Sequence, residues 1–253
     1  ITAELLRVGR TISLMLYAVI ILSLFFIALI NFTLTWTMLG AASLVLVVYG
    51  VYSNRQDTAS FTTSARKVKL PVASLLVAVV SSVFILFSAT LGSYLSTKLN
   101  VTQVEVRPSL SATFDVAKET LKKHPVFGSG PNRFVPEWLS YKPQAINNTL
   151  FWNTDFNTGF SIVTTSLITG GAAGFLAWVL FLAIFLYVGF RAMFDFSLNR
   201  HSRYLIVSSF ILGAYLWTFV ALYFPNITIY VFAFLFTGIL VATMTDGNLI
   251  KRY

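Results

Sequence analysis

The chain has 253 residues, of which 57% are hydrophobic and 11% charged, against about 25% charge in an ordinary soluble domain. Such a chain cannot cover its own surface with polar groups, so lipid must act as solvent for much of it. The formal charge of +9, from 18 basic and 9 acidic residues, does not read as nucleic-acid binding, because basic residues of membrane proteins gather in cytoplasmic loops facing anionic lipid; the absence of cysteine excludes a disulfide framework, a thiolate metal site and a Cys nucleophile.

Six apolar stretches are predicted to span, at 11–30, 34–52, 71–92, 168–190, 204–224 and 227–245. Each approaches the roughly 20 residues that a helix needs to cross hydrocarbon. Helix is the expected state, since backbone groups in lipid must be satisfied within the segment. The expected fold is therefore all-α: a polytopic transmembrane bundle with one large loop that carries short helices. Three spans fill 1–92, the loop runs over 93–160, and three more spans fill 161–253.

The connections set an orientation. Arg7 and Arg10 precede the first span, and Arg55, Arg66, Lys67 and Lys69 lie between the second and third. Arg191, Arg200 and Arg203 lie between the fourth and fifth, and Lys251 and Arg252 follow the last. If all six segments cross, these residues fall on one side, which the positive-inside rule makes cytoplasmic, with both termini. The 93–160 loop then lies outside, and long loops translocate largely regardless of their charge.

Within the loop, Pro108 precedes a predicted helix with Ser109 as its N-cap. Leu110, Phe114, Ala117 and Leu121 form its expected apolar stripe, and Pro125 stops it. Gly128-Ser129-Gly130-Pro131 reads as a tight turn. A second helix is expected at 131–140, with Pro131 in its first turn and its amides turned toward an anion. Arg107 lies upstream of this group and Arg133 just downstream; Lys142 is a further basic candidate. No paired-carboxylate or His-cluster spacing suggests a metal site, so neither metal nor cofactor is expected.

The polar run Arg107–Phe134, with His124-Pro125-Val126-Phe127-Gly128-Ser129-Gly130, followed later by Gly171-Ala172-Ala173-Gly174, resembles the large extracytoplasmic loop and next span of the O-antigen ligase/polymerase superfamily. The resemblance covers Arg107 to Trp178. It implies a bacterial inner-membrane enzyme that moves a glycan from a polyprenyl-diphosphate carrier to a glycan, lipid or protein acceptor. Members of that family carry further spans ahead of the loop, so this chain, which starts at Ile1, is expected to be a C-terminal portion. Arg107 matches the arginine that opens the family's loop and is expected to hold the diphosphate. Guanidinium groups meet phosphate oxygens in a bidentate fork and keep their charge at any relevant pH.

The family also carries a histidine shortly before the Gly-x-x-Gly, and here Phe160-Ser161 stands in that place. His201 lies among basic residues of a connection, and His124 precedes a proline at a helix end. Asp155 becomes the candidate base, as the carboxylate within the aromatic- and amide-rich stretch 151–161. Trp152 and Asn153 are candidates for sugar contact, although aromatic residues at this level also form the interfacial belt. Two other readings stand beside the enzyme: a transporter or flippase for a lipid-linked glycan, and a noncatalytic membrane scaffold. Few ionisable residues occur within the spans, which argues against a transporter or pump.

Overall fold

The computed structural model describes residues 9–59, 71–99, 106–195, 197–224 and 226–247. Among these residues the chain is all-helical, with no strand. In chain order the helices are α1 (Arg10–Ile30), α2 (Thr33–Ala59), α3 (Val72–Leu86), α4 (Ser93–Lys98), α5 (Leu110–Lys123), α6 (Phe134–Tyr141), α7 (Ile162–Thr169), α8 (Gly171–Met193), α9 (Arg200–Leu222) and α10 (Ile227–Asp246). Five of them are long and apolar enough to cross a membrane: α1, the Thr33–Ser53 part of α2, α8, the His201–Leu222 part of α9, and α10. Their outward faces are apolar, as at Leu14 (61% exposed), Leu180 (59%) and Phe234 (56%). A face of that kind, on helices of this length, suits contact with lipid. Arg7, the 60–70 connection and Lys251–Arg252, which carry much of the charge bias, lie outside the described residues.

The chain divides into two compact units, 1–104 with 196–211 and 105–195 with 212–253. In the first, α2 and α3 run antiparallel in close contact. Trp36 stacks on Phe84 with ring centroids 4.3 Å apart. A side chain at Gly40 would meet Ser81, and one at Gly50 would meet Pro71, so glycine lets the backbones approach. The expected third span is not one continuous α-helix. α3 has 15 residues and rises about 22 Å, less than the roughly 30 Å of hydrocarbon. It ends at Phe87, and the chain widens into a π-turn over Ser88–Gly92 before α4. At that break the side-chain amide of Asn31 donates to the Ser88 carbonyl at 3.2 Å.

The second unit combines the loop helices α5–α7 with α8, α10 and the end of α9. Ser109 caps α5 as expected, accepting from the Ala112 amide at 3.1 Å. The buried face of α5 differs from the expected stripe. It consists of Ala112, Thr113, Val116, Ala117 and Thr120, while Leu110 and Phe114 are 42% and 50% exposed. The threonine hydroxyls donate to the helix's own carbonyls, Thr113 to Ser109 and Thr120 to Val116, so they can be buried without an orphaned donor. Small residues there let Phe134 and Trp138 of α6 and Ile168 of α7 pack close, with Phe156 closing the core. α6 begins at Phe134 rather than at Pro131, because Asn132 adopts a left-handed conformation (φ 58°) and ends the turn first. Among the spans, Trp217 packs edge-on against Phe181 and Phe234 and donates to Thr237 at 2.9 Å. Gly213 lies against Phe185 as a close-packing position, whereas Gly238 has open space around it among the described residues.

Candidate functional site

The two glycine runs that stand 43 positions apart in the sequence lock onto each other. Ser129 and Gly130 donate their amides to the carbonyls of Ile168 and Thr169, each at 2.9 Å. In return Ala172 and Ala173 donate to Pro125 and Val126, each at 3.0 Å. Gly128 (φ 61°) and Gly171 (φ 63°) sit at the crossing, where a Cβ on either would come within 2.4–2.5 Å of the other segment's backbone. The amides of the expected tight turn face carbonyls, that of Gly128 being bonded to His124. The turn is an anchor for the loop on the first turn of α8.

Arg107 is the candidate residue that the fold holds most firmly. Its guanidinium lies between two aromatic rings, 3.9 Å from the centroid of Phe160 and 4.4 Å from that of Tyr223. It donates to the Phe160 carbonyl at 3.1 Å and to the Leu222 carbonyl at 3.3 Å. Leu222 closes α9, where the helix dipole favours a cation. The side chain is half-buried. Phe160 is itself positioned: its amide donates to Thr113 Oγ1 at 3.1 Å, and the Gly159 amide donates to Thr165 Oγ1 at 2.9 Å. Gly159 is required there, since a Cβ would come within 2.6 Å of Thr113. A capping box of Ser161 and Thr164 then starts α7. The chain from Thr113 through Phe160 to Arg107 is thus a continuous run of contacts from the α5 core to the guanidinium.

The other sequence candidates are arranged differently. Lys142 ends α6 and donates through Nζ to the Trp152 carbonyl at 3.0 Å. Trp152 itself is 60% exposed. Arg133 stands exposed at the N-cap of α6, and Asn153 and Asp155 are exposed on the segment leading to α7. The side chains of Arg133, Asn153 and Asp155 make no hydrogen bond or ion pair among the described residues. The aromatic environment expected around Asp155 is taken by its neighbour Phe156, which is buried against Trp138 at 5.1 Å. His124 caps α5 through its backbone, as a structural residue. Glu137, not singled out in the sequence, lies 2.7 Å from Thr120 Oγ1, whose one proton it shares with the Val116 carbonyl, and ties α6 to α5. No group of three His, Asp or Glu able to hold a metal occurs among the described residues.

Phe160 and Tyr223, which frame Arg107, carry no motif by which spacing would find them. The Ser161-x-x-Thr164 cap was a legible signal for the start of α7.

Together these features define a multi-pass helical membrane protein whose loop forms a packed subdomain with a fixed arginine. Comparison with protein-family models, curated proteins and solved structures found no match.

Proposed function

We propose that the protein is a glycan ligase or polymerase of a bacterial inner membrane, acting on a polyprenyl-diphosphate-linked donor with its loop on the extracytoplasmic side. The observation that supports this reading is the Arg107 guanidinium, held between Phe160 and Tyr223 and tethered at the end of α9. A planar cation fixed in orientation beside the spans suits the diphosphate of a lipid carrier, whose head lies at the bilayer boundary. In the reaction, the acceptor hydroxyl gives its proton to a base and bonds to the anomeric carbon. The bond from that carbon to the diphosphate oxygen breaks, and the lipid diphosphate leaves with the electron pair. Arg107 stabilises the negative charge gathering on the departing oxygens, where lipid lowers the dielectric. Asp155, exposed to an incoming acceptor, takes the hydroxyl proton in this scheme.

The test is turnover of a radiolabelled lipid-linked glycan by the full-length protein in nanodiscs. Arg107→Ala is expected to lower transfer about 10²–10³-fold, the usual cost of one such donor. Arg107→Lys keeps the charge but not the fork or the stack, and is expected to fall nearly as far. Binding of the donor without release of lipid diphosphate would replace the enzyme by a carrier.

A further inference from the structure

Between Lys142 and Thr154 the loop lays Ile146 and Phe151 against its own core and turns other side chains outward. A short 3₁₀ turn at Gln144–Asn148 leads to a tip where Leu150 is 95% exposed and Trp152 is 60% exposed. Leu139, on the last turn of α6, is 50% exposed. The tip is nonetheless well formed. Thr149 Oγ1 bonds the Ile146 carbonyl at 2.7 Å, and the Thr154 amide bonds the Phe151 carbonyl at 3.0 Å. Phe151 turns back toward Phe156, 6.1 Å away. A structured turn that fixes a leucine and a tryptophan outward is costly in water, since burying such apolar side chains is favourable.

Charge indicates what covers the tip. No acidic residue occurs from Trp138 through Thr154; Glu137 on one border is tied to Thr120, and Asp155 on the other is exposed. The one cation of that stretch, Lys142, is bonded to the Trp152 carbonyl and so stands beside the tip. A tryptophan and a leucine backed by a lysine fit the boundary between hydrocarbon and anionic headgroups: the rings and methyls enter, and the ammonium remains with the phosphates. The compact unit that holds this tip also includes α8 and α10, two helices of membrane-spanning length.

We infer that Leu150 and Trp152 insert into the lipid leaflet on the loop's side, with Lys142 at the headgroup phosphates. Trp152 then serves the membrane rather than a sugar face. This inference does not rest on the proposed reaction.

The chain has no cysteine, so Leu150→Cys creates a single labelling site. A nitroxide there, in full-length protein in nanodiscs of phosphatidylethanolamine and phosphatidylglycerol, is expected to collide several-fold more with oxygen, relative to a water-soluble nickel chelate, than one at Asp115→Cys on the exposed side of α5. Trp152→Cys should behave like Leu150→Cys. Adding Lys142→Gln should lower the ratio at position 150 in these discs. Equal ratios at 150 and 115 would overturn the inference. So would dipolar broadening at 150 in discs carrying two copies, which would place a second chain on the tip.

Discussion

At the scale of single residues, Gly128 and Gly171 show how little room the loop anchor leaves. Both have positive φ, and each would drive a Cβ into the partner's backbone. Gly128→Ala and Gly171→Ala are therefore expected to lower the unfolding midpoint of the detergent-solubilised protein strongly, since left-handed backbone alone costs an alanine about 1–2 kcal/mol and the clash adds to it. Gly130→Ala provides the contrast. Its φ is 102°, but its Cβ would meet only the flexible Arg133 side chain at 3.8 Å, so a milder loss is expected in the same melt. Thr113 is a second informative residue. Thr113→Val keeps the shape but leaves the Phe160 amide unpaired, at about 1–3 kcal/mol. Because Phe160 supplies a ring and a carbonyl to Arg107, the variant is expected to weaken donor binding, and Thr113→Ser should restore it. Unchanged donor affinity in Thr113→Val would remove Thr113 as a positioning residue.

At the scale of elements, α5 shows where the sequence is legible and where it is not. Its start, stop and cap follow from Pro108, Ser109 and Pro125. Its buried face does not, because hydropathy assigns threonine to solvent and phenylalanine to the core. The opposite holds here: Thr113 and Thr120 bond back into the helix and disappear inside, while Phe114 faces out. The site has the same asymmetry. Arg107 stands out in the sequence, but the Phe160 and Leu222 carbonyls that hold it lie 53 and 115 positions away, beyond any periodic pattern. The opposite face of α5 carries an exposed pair, Lys122 with Glu119. The hydrogen bond from Lys122 holds the Glu119 carboxyl below its ordinary value, with the charge of the same lysine adding to it. A carboxyl lowered in this way favours the fold above its unfolded titration and loses that contribution as pH falls through its folded midpoint. For so exposed a pair the contribution is small. Lys122→Ala is thus expected to raise the Glu119 titration midpoint, read by carbon NMR of labelled glutamate, and to leave thermal stability unchanged.

At the scale of the whole molecule, the open quantity is the number of crossings, and its parity is measurable. Five helices have the length to span; α3, continued by the π-turn and α4, is the sixth segment. If that segment also crosses, residues just before α1 and just after α10 share a side, and the loop lies opposite. Single cysteines at Gly9, Asn132 and Gly247, challenged with an impermeant maleimide in intact cells, are expected to react only at 132. Reaction at either 9 or 247 would mean that the segment returns to the side it came from, and would overturn the six-span plan. Asn31 gives an independent handle on the same break: Asn31→Leu removes the donor to the Ser88 carbonyl and is expected to loosen the π-turn, seen as faster amide exchange over Ser88–Gly92.

The interlocked glycines have one more consequence. The peptide bonds from Gln144 to Thr154 lie on a detour whose two ends are clasped by the four amide–carbonyl bonds between Pro125–Gly130 and Ile168–Ala173. A protease nick in that detour would leave two fragments still bound as one particle. Halves of the gene divided there and expressed together should reassemble without a covalent bridge.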